Sequence, residues 1–515
     1  MRFLFAFSIA VSLVATSFAQ EQKKPNIVWI IVDDMSADFL CYLERSPIPI
    51  RSRSAWHVDD GKFVSKTPHV DQLAKDGILF KNAVTTAPVC SACRSALITG
   101  MYQTSIGAQN HRSGHGEMKI NLPDGVELVP RLFKDAGYHV SNVNVDDFTR
   151  SGEQVAKNSK VKVAKTDYNF VWDQKVYEKT HWTTRDDKQP FFAQIQLHGG
   201  KHRGKGDGEV WPAKAKEVLG ENVDPSLIQL PPYLADHPII RKDWAQYLDC
   251  VRYTDWEVGR IVDRLKQSGD HHETVIFFMT DHGISHIRHK QFLYEGGIHI
   301  PIIVAGPGIK AGQIREDVVE QIDLAATSLA LAGIEKPAKM QSRNILASDY
   351  QPRTYVFSAR DRCDETIDHI RSVRSKEFKY IRNFLPNRPW LQPNAYQDGK
   401  PILQATRQLH RQGLLNERQR EFFAPTRPPE ELYRIADDLD EMRNLVNDPK
   451  YSQHLDEMRK ALDDWMVETD DHGRIPESWE QYDSDMAEYT GPNAKPDGAI
   501  MKNIQLMKQW AAEGK

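Results

Sequence analysis

The stretch PNIVWIIVDD, residues 25–34, is an apolar, largely β-branched run that begins at a proline and stops at two aspartates. The stretch ETVIFFMTDHG, residues 273–283, has the same form and stops at Asp281 and His282. Continuous apolar runs of this length are typical of strands that are buried on both faces of a parallel sheet. The two stretches therefore predict a covered sheet whose strands end in ionisable side chains.

Strands and helices alternate on either side of these two runs. A long amphipathic pattern over residues 244–269 predicts a helix that ends at a glycine. The alternation predicts an α/β domain with a doubly wound, mostly parallel sheet flanked by helices. Further strands are predicted within residues 136–145, 190–200 and 300–308, and helices that feed strands within residues 67–80 and 126–137.

The sequence changes character after about residue 350. Basic and apolar residues alternate over residues 370–384, which predicts an antiparallel hairpin. Proline- and arginine-rich segments follow, and residues 451–468 have the pattern of an amphipathic helix. We therefore predict a main α/β domain over residues 20–350 and a smaller α+β domain, an antiparallel sheet plus helix, over residues 351–515.

The first 19 residues have the pattern of a secretory signal peptide. Arg2 gives a positive start, an apolar run follows, and small residues at 17 and 19 precede a polar segment that begins at Gln20. No cysteine lies at the cleavage point, which argues against a lipid anchor. Since no later stretch is apolar over the length that a bilayer requires, we expect a periplasmic or secreted protein without a membrane span.

The composition excludes several classes of protein. With 515 residues, of which 40% are hydrophobic and 27% charged, the chain matches an ordinary globular protein. Its net charge of −4 does not indicate general nucleic-acid binding. Five cysteines are too few, and odd in number, for a scaffold held by disulfides, so at least one thiol is free or modified.

The acids at the strand ends predict a metal site. In open α/β sheets the ligand site lies beyond the carboxyl ends of the strands, so Asp33, Asp34, Asp281 and His282 are expected to converge. Carboxylates and oxygen-rich loops suit a hard divalent cation such as Ca²⁺ or Mg²⁺. The alternative for the two neighbouring aspartates is a solvated loop or a helix cap. For the histidine, the alternative is a hydrogen bond to the substrate, because nitrogen is a poor Ca²⁺ ligand.

Two cysteines lie three positions apart in PVCSACRSALITG, residues 88–100, directly before an arginine. One interpretation is that Cys90 and Cys93 form a disulfide or bind a metal together. The other is that only one of the two thiols is chemically important. A thiol oxidoreductase or a zinc site lacks the partners it needs, since the chain has no second cysteine pair.

The run that starts at Cys90 resembles the formylglycine signature of the sulfatase family, C-x-P-[S/A/C]-R-x-x-L-x-[S/T]-G. Other segments resemble further motifs of that family in the family's order, so the resemblance covers nearly the whole mature chain. It implies the alkaline-phosphatase-like fold, in which a mixed, mostly parallel sheet is flanked by helices. The segments that resemble further family motifs are four. NIVWIIVDDM (26–35) and VIFFMTDHG (275–283) resemble the metal-bearing strands, and the other two are KQFLYEGGIHIPIIVAGPG (290–308) and ELYRIADDLDEMRNLVND (431–448).

The resemblance implies a mechanism. A maturation enzyme would oxidise Cys90 to formylglycine (3-oxoalanine), whose hydrated gem-diol attacks the sulfur of a sulfate and expels the alcohol or amine. Arg94 would orient the diol, and Lys290 would hold the sulfate or protonate the leaving oxygen. The metal, Ca²⁺ or alternatively Mg²⁺, would withdraw charge from the sulfate oxygens. The implied metal ligands are Asp33, Asp34, Cys90, Asp281 and His282.

The chain departs from the family pattern at three places. Ala92 replaces the usual proline of the signature, so the maturation system must accept alanine there. The usual G-K-x-H strand end is missing, and Lys165 is the substitute after an insertion, with Asp167 at the place of the histidine. The family's mid-chain histidine corresponds to His198 or His202, of which His202 is preferred slightly.

Two further segments carry candidates for substrate binding. His111 and Arg112 follow the signature helix, and Arg360, Asp361 and Asp364 are candidates for recognising sugar hydroxyls or sulfates. The alternative for both segments is a solvated polar surface.

The leading hypothesis is a sulfuric ester hydrolase that removes an O- or N-sulfate from a sulfated carbohydrate, such as a polysaccharide or a glycosaminoglycan fragment. An arylsulfatase is the alternative within the class. A phosphonate or phosphodiester hydrolase shares the fold and the metal site. A non-catalytic binding protein is the remaining alternative, and it requires that Cys90 is never oxidised.

Overall fold

The computed structural model describes residues 24–37, 40, 66–203, 210–491 and 497–515. The predicted signal peptide, residues 1–19, and Cys41 lie outside the described residues. None of the described helices combines the length and the apolar character that crossing a membrane requires.

The strands and helices alternate along the first two thirds of the chain, as the sequence predicts. The strands are β1 (Asn26–Val32), β2 (Gly77–Val84), β3 (His139–Asn144), β4 (Phe191–Leu197), β5 (Thr274–Thr280), β6 (Ile302–Ala305), β7 (Gln313–Glu320), β8 (Val356–Arg360), β9 (Ile370–Arg374), β10 (Phe378–Asn383) and β11 (Glu430–Arg434). The helices are α1 (Pro68–Lys75), α2 (Cys90–Thr99), α3 (Val129–Asp135), α4 (Val145–Thr149), α5 (Glu153–Lys157), α6 (Val210–Leu219), α7 (Pro238–Ser268), α8 (Glu295–Ile298), α9 (Asp323–Leu331), α10 (Ala395–Asp398), α11 (Pro401–Arg411), α12 (Glu417–Arg420), α13 (Ser452–Glu468), α14 (Trp479–Thr490) and α15 (Gly498–Ala512).

The larger sheet has the strand order β3-β4-β1-β5-β6-β2-β7. Neighbours in the β3-β4-β1-β5 block pair in parallel, and so do β2 and β7, whereas β6 runs antiparallel to both of its neighbours. The predicted mixed, mostly parallel sheet is therefore confirmed.

Strand β1 shows why its sequence has no polar face. Val28, Ile30 and Val32 pack into one core together with helix α7, and Trp29 and Ile31 pack into a second core together with α2, α3 and α9. Because helices cover both faces of the sheet, each residue of this strand is buried, and alternation of polar and apolar residues would be unfavourable.

The smaller sheet, in the order β11-β10-β9-β8, is antiparallel throughout. Strands β9 and β10 form the predicted hairpin, and helix α13 packs on the sheet through Leu462 and Trp465. Helices α14 and α15 follow α13, and the sequence reasoning did not assign them. The change from the larger to the smaller sheet falls between α9 and β8.

Candidate active site

Cys90 is the first residue of helix α2 and is 3% exposed. The amino end of a helix carries a partial positive charge, which favours an anion or a thiolate at this position. The helix ends at Gly100, whose φ of 63° is left-handed and whose Cβ would lie 2.8 Å from Met340 Cγ. The last glycine of the signature is therefore needed to end the helix at this point.

The four cysteines within the described residues are free, so Cys90 and Cys93 do not form a disulfide. The Cys93 thiol donates to the carbonyl oxygen of Asp281 at 3.1 Å, and burial raises its pKa. Cys93 is thus a buried residue of the helix turn that packs against the strand end, and the interpretation as a cysteine pair is excluded.

The carboxylates come together as the strand order requires. Asp33 and Asp34 follow β1, and Asp281 follows β5, the neighbouring parallel strand. The backbone N–H of Asp34 donates to Asp281 Oδ1 at 3.1 Å. Asp34 has a left-handed φ of 53°, a conformation that aspartate tolerates better than most residues, and it turns the chain at the strand end. All three residues are buried.

Arg94 lies one helical turn after Cys90 and connects the two strand ends. Its guanidinium donates to Asp33, to Asp281 Oδ2 at 3.4 Å and to Gln196 Oε1 at 2.6 Å. Burial opposes ionisation of Asp33, but Arg94 and the nearby lysines outweigh it and hold the pKa of that carboxyl well below its usual range. Arg94 therefore fixes helix α2 against the carboxylates.

Three lysines surround Cys90. Lys290 Nζ lies 3.2 Å and Lys201 Nζ lies 3.4 Å from Cys90 Sγ. Lys165 Nζ lies 3.1 Å from Asp33 Oδ1, so this residue reaches the site across the insertion that holds α4 and α5. Burial alone would raise the pKa of the Cys90 thiol, but these ammonium groups lower it well below its usual value. The cluster is built to hold negative charge at position 90.

His282 contacts the same sulfur. Its Nε2 lies 3.2 Å from Cys90 Sγ and 3.7 Å from Asp34 Oδ1, while its Nδ1 lies 2.9 Å from the carbonyl oxygen of Gly283. In the neutral imidazole, if Nδ1 donates to that carbonyl, Nε2 is left as the acceptor that faces the cluster.

The donor set fits a hard divalent cation. The sets Asp33–Cys90–Asp281 and Asp34–Cys90–His282 each place one ligand atom per residue within 4.8 Å of the others. Three buried carboxylates supply the oxygen ligands that Ca²⁺ and Mg²⁺ prefer. An oxygen-bearing side chain at position 90 would complete such a site better than a thiol does, because both ions bind sulfur poorly.

The structure distinguishes the candidate residues in the loop after β4 by their positions. His202 stacks on Trp211, with ring centroids 4.3 Å apart, and burial lowers the pKa of its imidazole to about 3. The side chain that reaches the cluster is Lys201, whose Nζ lies 2.9 Å from Asp33 Oδ2. His198 is exposed and lines the cavity above the cluster.

The glycines before Lys201 explain how the loop reaches the site. Gly199 has a left-handed φ of 51°, and a Cβ there would collide with the carbonyl oxygen of Asp33. A Cβ at Gly200 would likewise collide with the carbonyl oxygen of Asp34. The pair therefore lets the loop pass directly against the turn after β1, and this glycine pair is the sequence signal that favours Lys201.

A cavity of about 480 Å³ opens above the cluster. Cys90 and the three lysines lie at one end, and His111, Arg112 and Asp364 lie in its wall. Burial lowers the pKa of the His111 imidazole, but Asp364, at 3.1 Å from Nδ1, outweighs burial and raises that pKa well above its usual value. The structure thus brings these three candidate substrate-binding residues together with the catalytic cluster.

Arg360 and Asp361 lie elsewhere. Arg360 is buried and donates to Asp368 at 2.6 Å, and Asp361 pairs with Arg371 at 3.1 Å. These pairs hold the end of β8 to its neighbours, so both side chains are used within the fold. The structure does not place them among the residues that line the cavity.

Residues from the C-terminal part complete the cavity, and sequence reasoning missed them. Tyr396 of α10 lies with its hydroxyl 3.5 Å from Asp34 Oδ2 and its ring 5.0 Å from Lys290 Nζ. Tyr489 of α14 accepts a hydrogen bond from Arg112 at 3.1 Å, and Ile500 of α15 also lines the cavity. No motif marks these positions, because their role depends on how the smaller sheet packs against the larger one.

Lys400 gives a testable pH dependence of stability. Burial and Arg203 lower the pKa of its ammonium from 10.5 to about 7. Because the unfolded chain keeps this proton up to about pH 10.5, unfolding takes up a proton between pH 7 and 10.5, and stability falls as the pH falls through that window. We expect Lys400→Met to raise stability at pH 6 by up to about 4 kcal/mol, with a gain that shrinks toward pH 10.

The measurement is thermal unfolding of both proteins across this pH range. The matched control is Lys157→Met, since Lys157 is exposed on α5. A gain for Lys400→Met that stays constant with pH, or that grows as the pH rises, would contradict the assigned burial of the charge.

Comparison with known proteins agrees with this geometry. A family model described as "Sulfatase" matches residues 25–334, and one described as "N-sulphoglucosamine sulphohydrolase, C-terminal" matches residues 282–400. An "Ulvan-active sulfatase" of Formosa agariphila is 29% identical over 498 residues, which cover 88% of this chain and 77% of that protein. Human "N-sulphoglucosamine sulphohydrolase" is 27% identical over 463 residues, covering 80% of this chain and 89% of that protein.

Solved structures show the same fold. The structure of a "2-O GAG sulfatase" superposes with a TM-score of 0.57 at 19% identity, covering 89% of this chain and 96% of that chain. The resemblance of the sequence motifs, the alkaline-phosphatase-like sheet and the family match over more than half of the residues lead to one conclusion. The chain belongs to the sulfatase family.

Proposed function

We propose that this protein is a sulfuric ester hydrolase that removes sulfate from a sulfated carbohydrate, with residue 90 as the nucleophile after its conversion to formylglycine. The observation that carries the proposal is the position of Cys90, at a helix amino terminus between two carboxylate-bearing strand ends and three lysines. This cluster lies at one end of an open cavity, where an anionic group of a larger substrate can enter.

The chain's own residues bind and orient the sulfate. Lys201 and Lys290 both contact the reacting position and neutralise negative charge there. Asp34 raises the pKa of the buried Lys290 ammonium well above its usual value, although burial opposes this, which favours Lys290 as a fixed cation over a proton donor. Exposed His198 remains in the cavity as the candidate for proton transfer to the leaving group.

Arg94 determines the direction of attack. It bonds Asp33, Asp281 and Gln196 at once and so keeps helix α2, and with it residue 90, at a fixed distance from the strand ends. Formylglycine supplies, as its hydrate, an oxygen nucleophile that the native thiol cannot provide. A bound divalent cation supplies Lewis-acid polarisation of the sulfate oxygens.

We propose Ca²⁺ as the resident ion, because the site offers three carboxylates, and Mg²⁺ as the alternative. Removal of divalent cations by a chelator is expected to lower kcat by at least about 100-fold, since the charge that polarises the sulfate is lost. Addition of Ca²⁺ should restore the rate, and Asp281→Asn should weaken Ca²⁺ binding measured by calorimetry. Full activity in a metal-free preparation, checked by elemental analysis, would contradict the assignment.

Maturation must precede folding. Residues 88–99 are buried in the folded protein, so an oxidising enzyme cannot reach Cys90 once the chain has folded. We propose a formylglycine-generating enzyme that accepts Ala92 at the usual proline position and acts on the unfolded chain. The predicted signal peptide supports export to the periplasm or the medium, where sulfated polymers are met.

The substrate class rests on the cavity and on the relatives. His111, Arg112, Asp364 and Tyr489 supply both donors and acceptors along the wall, as recognition of sugar hydroxyls requires. The names of the relatives refer to ulvan and to N-sulphoglucosamine, which supports a sulfated carbohydrate with an O- or N-sulfate as the substrate.

The test is a screen of matured enzyme against sulfated mono- and disaccharides, with an aryl sulfate and an aryl phosphonate monoester as comparison substrates. We expect release of inorganic sulfate from at least one saccharide with kcat/KM at least about 100-fold above that for either aryl ester. Faster hydrolysis of the phosphonate ester would overturn the proposal in favour of the phosphonate or phosphodiester hydrolase alternative.

A further inference from the structure

The cavity wall carries a second group of metal-ligating side chains, outside the catalytic cluster. His111, Cys363 and Asp364 each place a ligand atom within 4.8 Å of the other two. Two of them line the cavity, and the thiol of Cys363 is fully buried behind them.

The distances among these atoms are close to those of a tetrahedral metal site. His111 Nδ1 lies 3.1 Å from Asp364 Oδ1 and 3.8 Å from Cys363 Sγ, while the other oxygen of the same carboxylate, Asp364 Oδ2, lies 3.9 Å from Cys363 Sγ. With one donor atom from each residue, the three atoms lie within 4.8 Å of one another. Zinc–ligand bonds of about 2.0–2.3 Å at tetrahedral angles place neighbouring donor atoms about 3.3–3.6 Å apart. Side-chain shifts on the order of 1 Å therefore bring the three donor atoms to these separations.

The backbone holds the two ligand-bearing segments together before any ion binds. The N–H of His111 donates to the carbonyl oxygen of Arg362 at 2.9 Å. The Arg362 guanidinium donates in turn to the carbonyl oxygens of His111 and Asp364, at 3.2 and 2.9 Å. Cys363 and Thr366 exchange two backbone hydrogen bonds that close the turn. Because this frame is already ordered, binding an ion costs little rearrangement.

The ligand types balance the charge of a dication. Imidazole, thiol and carboxyl groups bind a metal in their deprotonated forms, so an ion that enters this group displaces protons to solvent. The two anionic ligands, the Cys363 thiolate and the Asp364 carboxylate, then neutralise the dication.

The donor types select the class of ion. A thiolate and an imidazole favour Zn²⁺ and similar borderline-soft cations, whereas Ca²⁺ and Mg²⁺ require oxygen ligands. The three protein ligands leave one position on the cavity side, where water or a substrate group can bind.

We propose that His111, Cys363 and Asp364 form a second, zinc-type metal site in the wall of the substrate cavity. An ion there occupies two of the side chains that face the substrate and places a dication in the wall. It is expected to inhibit hydrolysis by competing with the substrate, a consequence that rests on the proposed function. Binding itself does not depend on that function.

The test of binding uses full-length protein carrying Cys90→Ala and saturated with Ca²⁺. The Cys90→Ala substitution removes the thiol of the catalytic cluster, and Ca²⁺ occupies the carboxylates of that cluster. Of the described cysteines, Cys363 is then the one that lies in a group of potential metal ligands. Titration with Co²⁺ is expected to give one equivalent of binding and a thiolate-to-cobalt charge-transfer absorption, which Zn²⁺ then abolishes. Addition of Cys363→Ser should remove the absorption and weaken Zn²⁺ binding by at least about 100-fold.

The matched control is Cys250→Ser, since Cys250 is also buried and free but packs against Trp211 in another core. It should leave the absorption unchanged. His111→Gln is the second variant and should weaken Zn²⁺ binding by at least about tenfold, even where Cys363→Ser fails to fold. Absence of the absorption in the parent protein, or Zn²⁺ affinity unchanged by His111→Gln, would overturn the proposal.

The inhibitory role is tested on matured, Ca²⁺-loaded enzyme with a sulfated saccharide that it hydrolyses. Zn²⁺ is expected to raise KM with little change in kcat, and Cys363→Ser should be insensitive to the same concentration. If Zn²⁺ binds without inhibiting hydrolysis, the proposed metal site stands but its inhibitory role is overturned. Failure to hydrolyse any sulfate ester would overturn the proposed function, while the cobalt titration would still decide the site.

Discussion

Cys90→Ala is expected to lower kcat/KM on a sulfated saccharide by at least about 10⁴-fold, which is the scale seen when an enzyme loses its covalent nucleophile. The physical reason is that the lysines and the strand-end carboxylates are arranged around this one side chain. Alanine can neither be oxidised to formylglycine nor supply an oxygen, so the rest of the cluster is left without a reacting group. Initial rates of sulfate release measure the effect.

The control for this prediction is Cys93→Ser. Serine keeps a small side chain that can donate to the carbonyl oxygen of Asp281, as the Cys93 thiol does. We expect kcat/KM to stay within about tenfold of the parent. Thermal unfolding of both variants shows whether the fold is intact. Comparable losses from both substitutions would mean that the two cysteines act as a pair, contrary to the geometry.

Lys201→Met is expected to lower kcat/KM by about 100- to 1,000-fold, because it removes a partly buried cation that contacts both Cys90 and Asp33. Methionine keeps the length and the apolar stem of the side chain. The neighbouring His202→Phe should leave kcat/KM within about threefold, since phenylalanine keeps the stacking on Trp211.

The measurement is the same initial-rate assay on both variants, with Ca²⁺ binding checked by calorimetry. The opposite ranking, with a large loss for His202→Phe and a small one for Lys201→Met, would show that the loop after β4 is arranged differently during catalysis. Together the pair decides which residue of the Lys-His segment serves the site.

The sequence predicts the parts of the site that lie at strand ends. Asp33, Asp34 and Asp281 follow apolar runs that are recognisable as buried strands, and adjacent parallel strands bring their carboxyl ends together. Cys90 and Arg94 lie one turn apart on a helix whose last glycine is part of the motif. Because these relations are local or follow from strand order, they can be predicted from the sequence.

The remaining residues depend on packing that the sequence does not display. Which of Lys201 and His202 faces the cluster is set by the approach of the glycine pair to the turn after β1. The charged sequence around Arg360 is typical of an exposed surface. In the structure, however, the end of β8 is covered and Arg360 pairs with Asp368. Tyr396 reaches Asp34 across 362 positions, a contact that only the docking of the smaller sheet creates.

The central claim is that Cys90, and not Cys93, becomes formylglycine. Tryptic digestion releases residues 82–94, NAVTTAPVCSACR, which contain both cysteines. After alkylation of free thiols, mass spectrometry of natively matured protein should show a loss of about 18 Da at Cys90 and an alkylated Cys93. Two alkylated cysteines in active protein, or the mass loss at Cys93, would contradict the account.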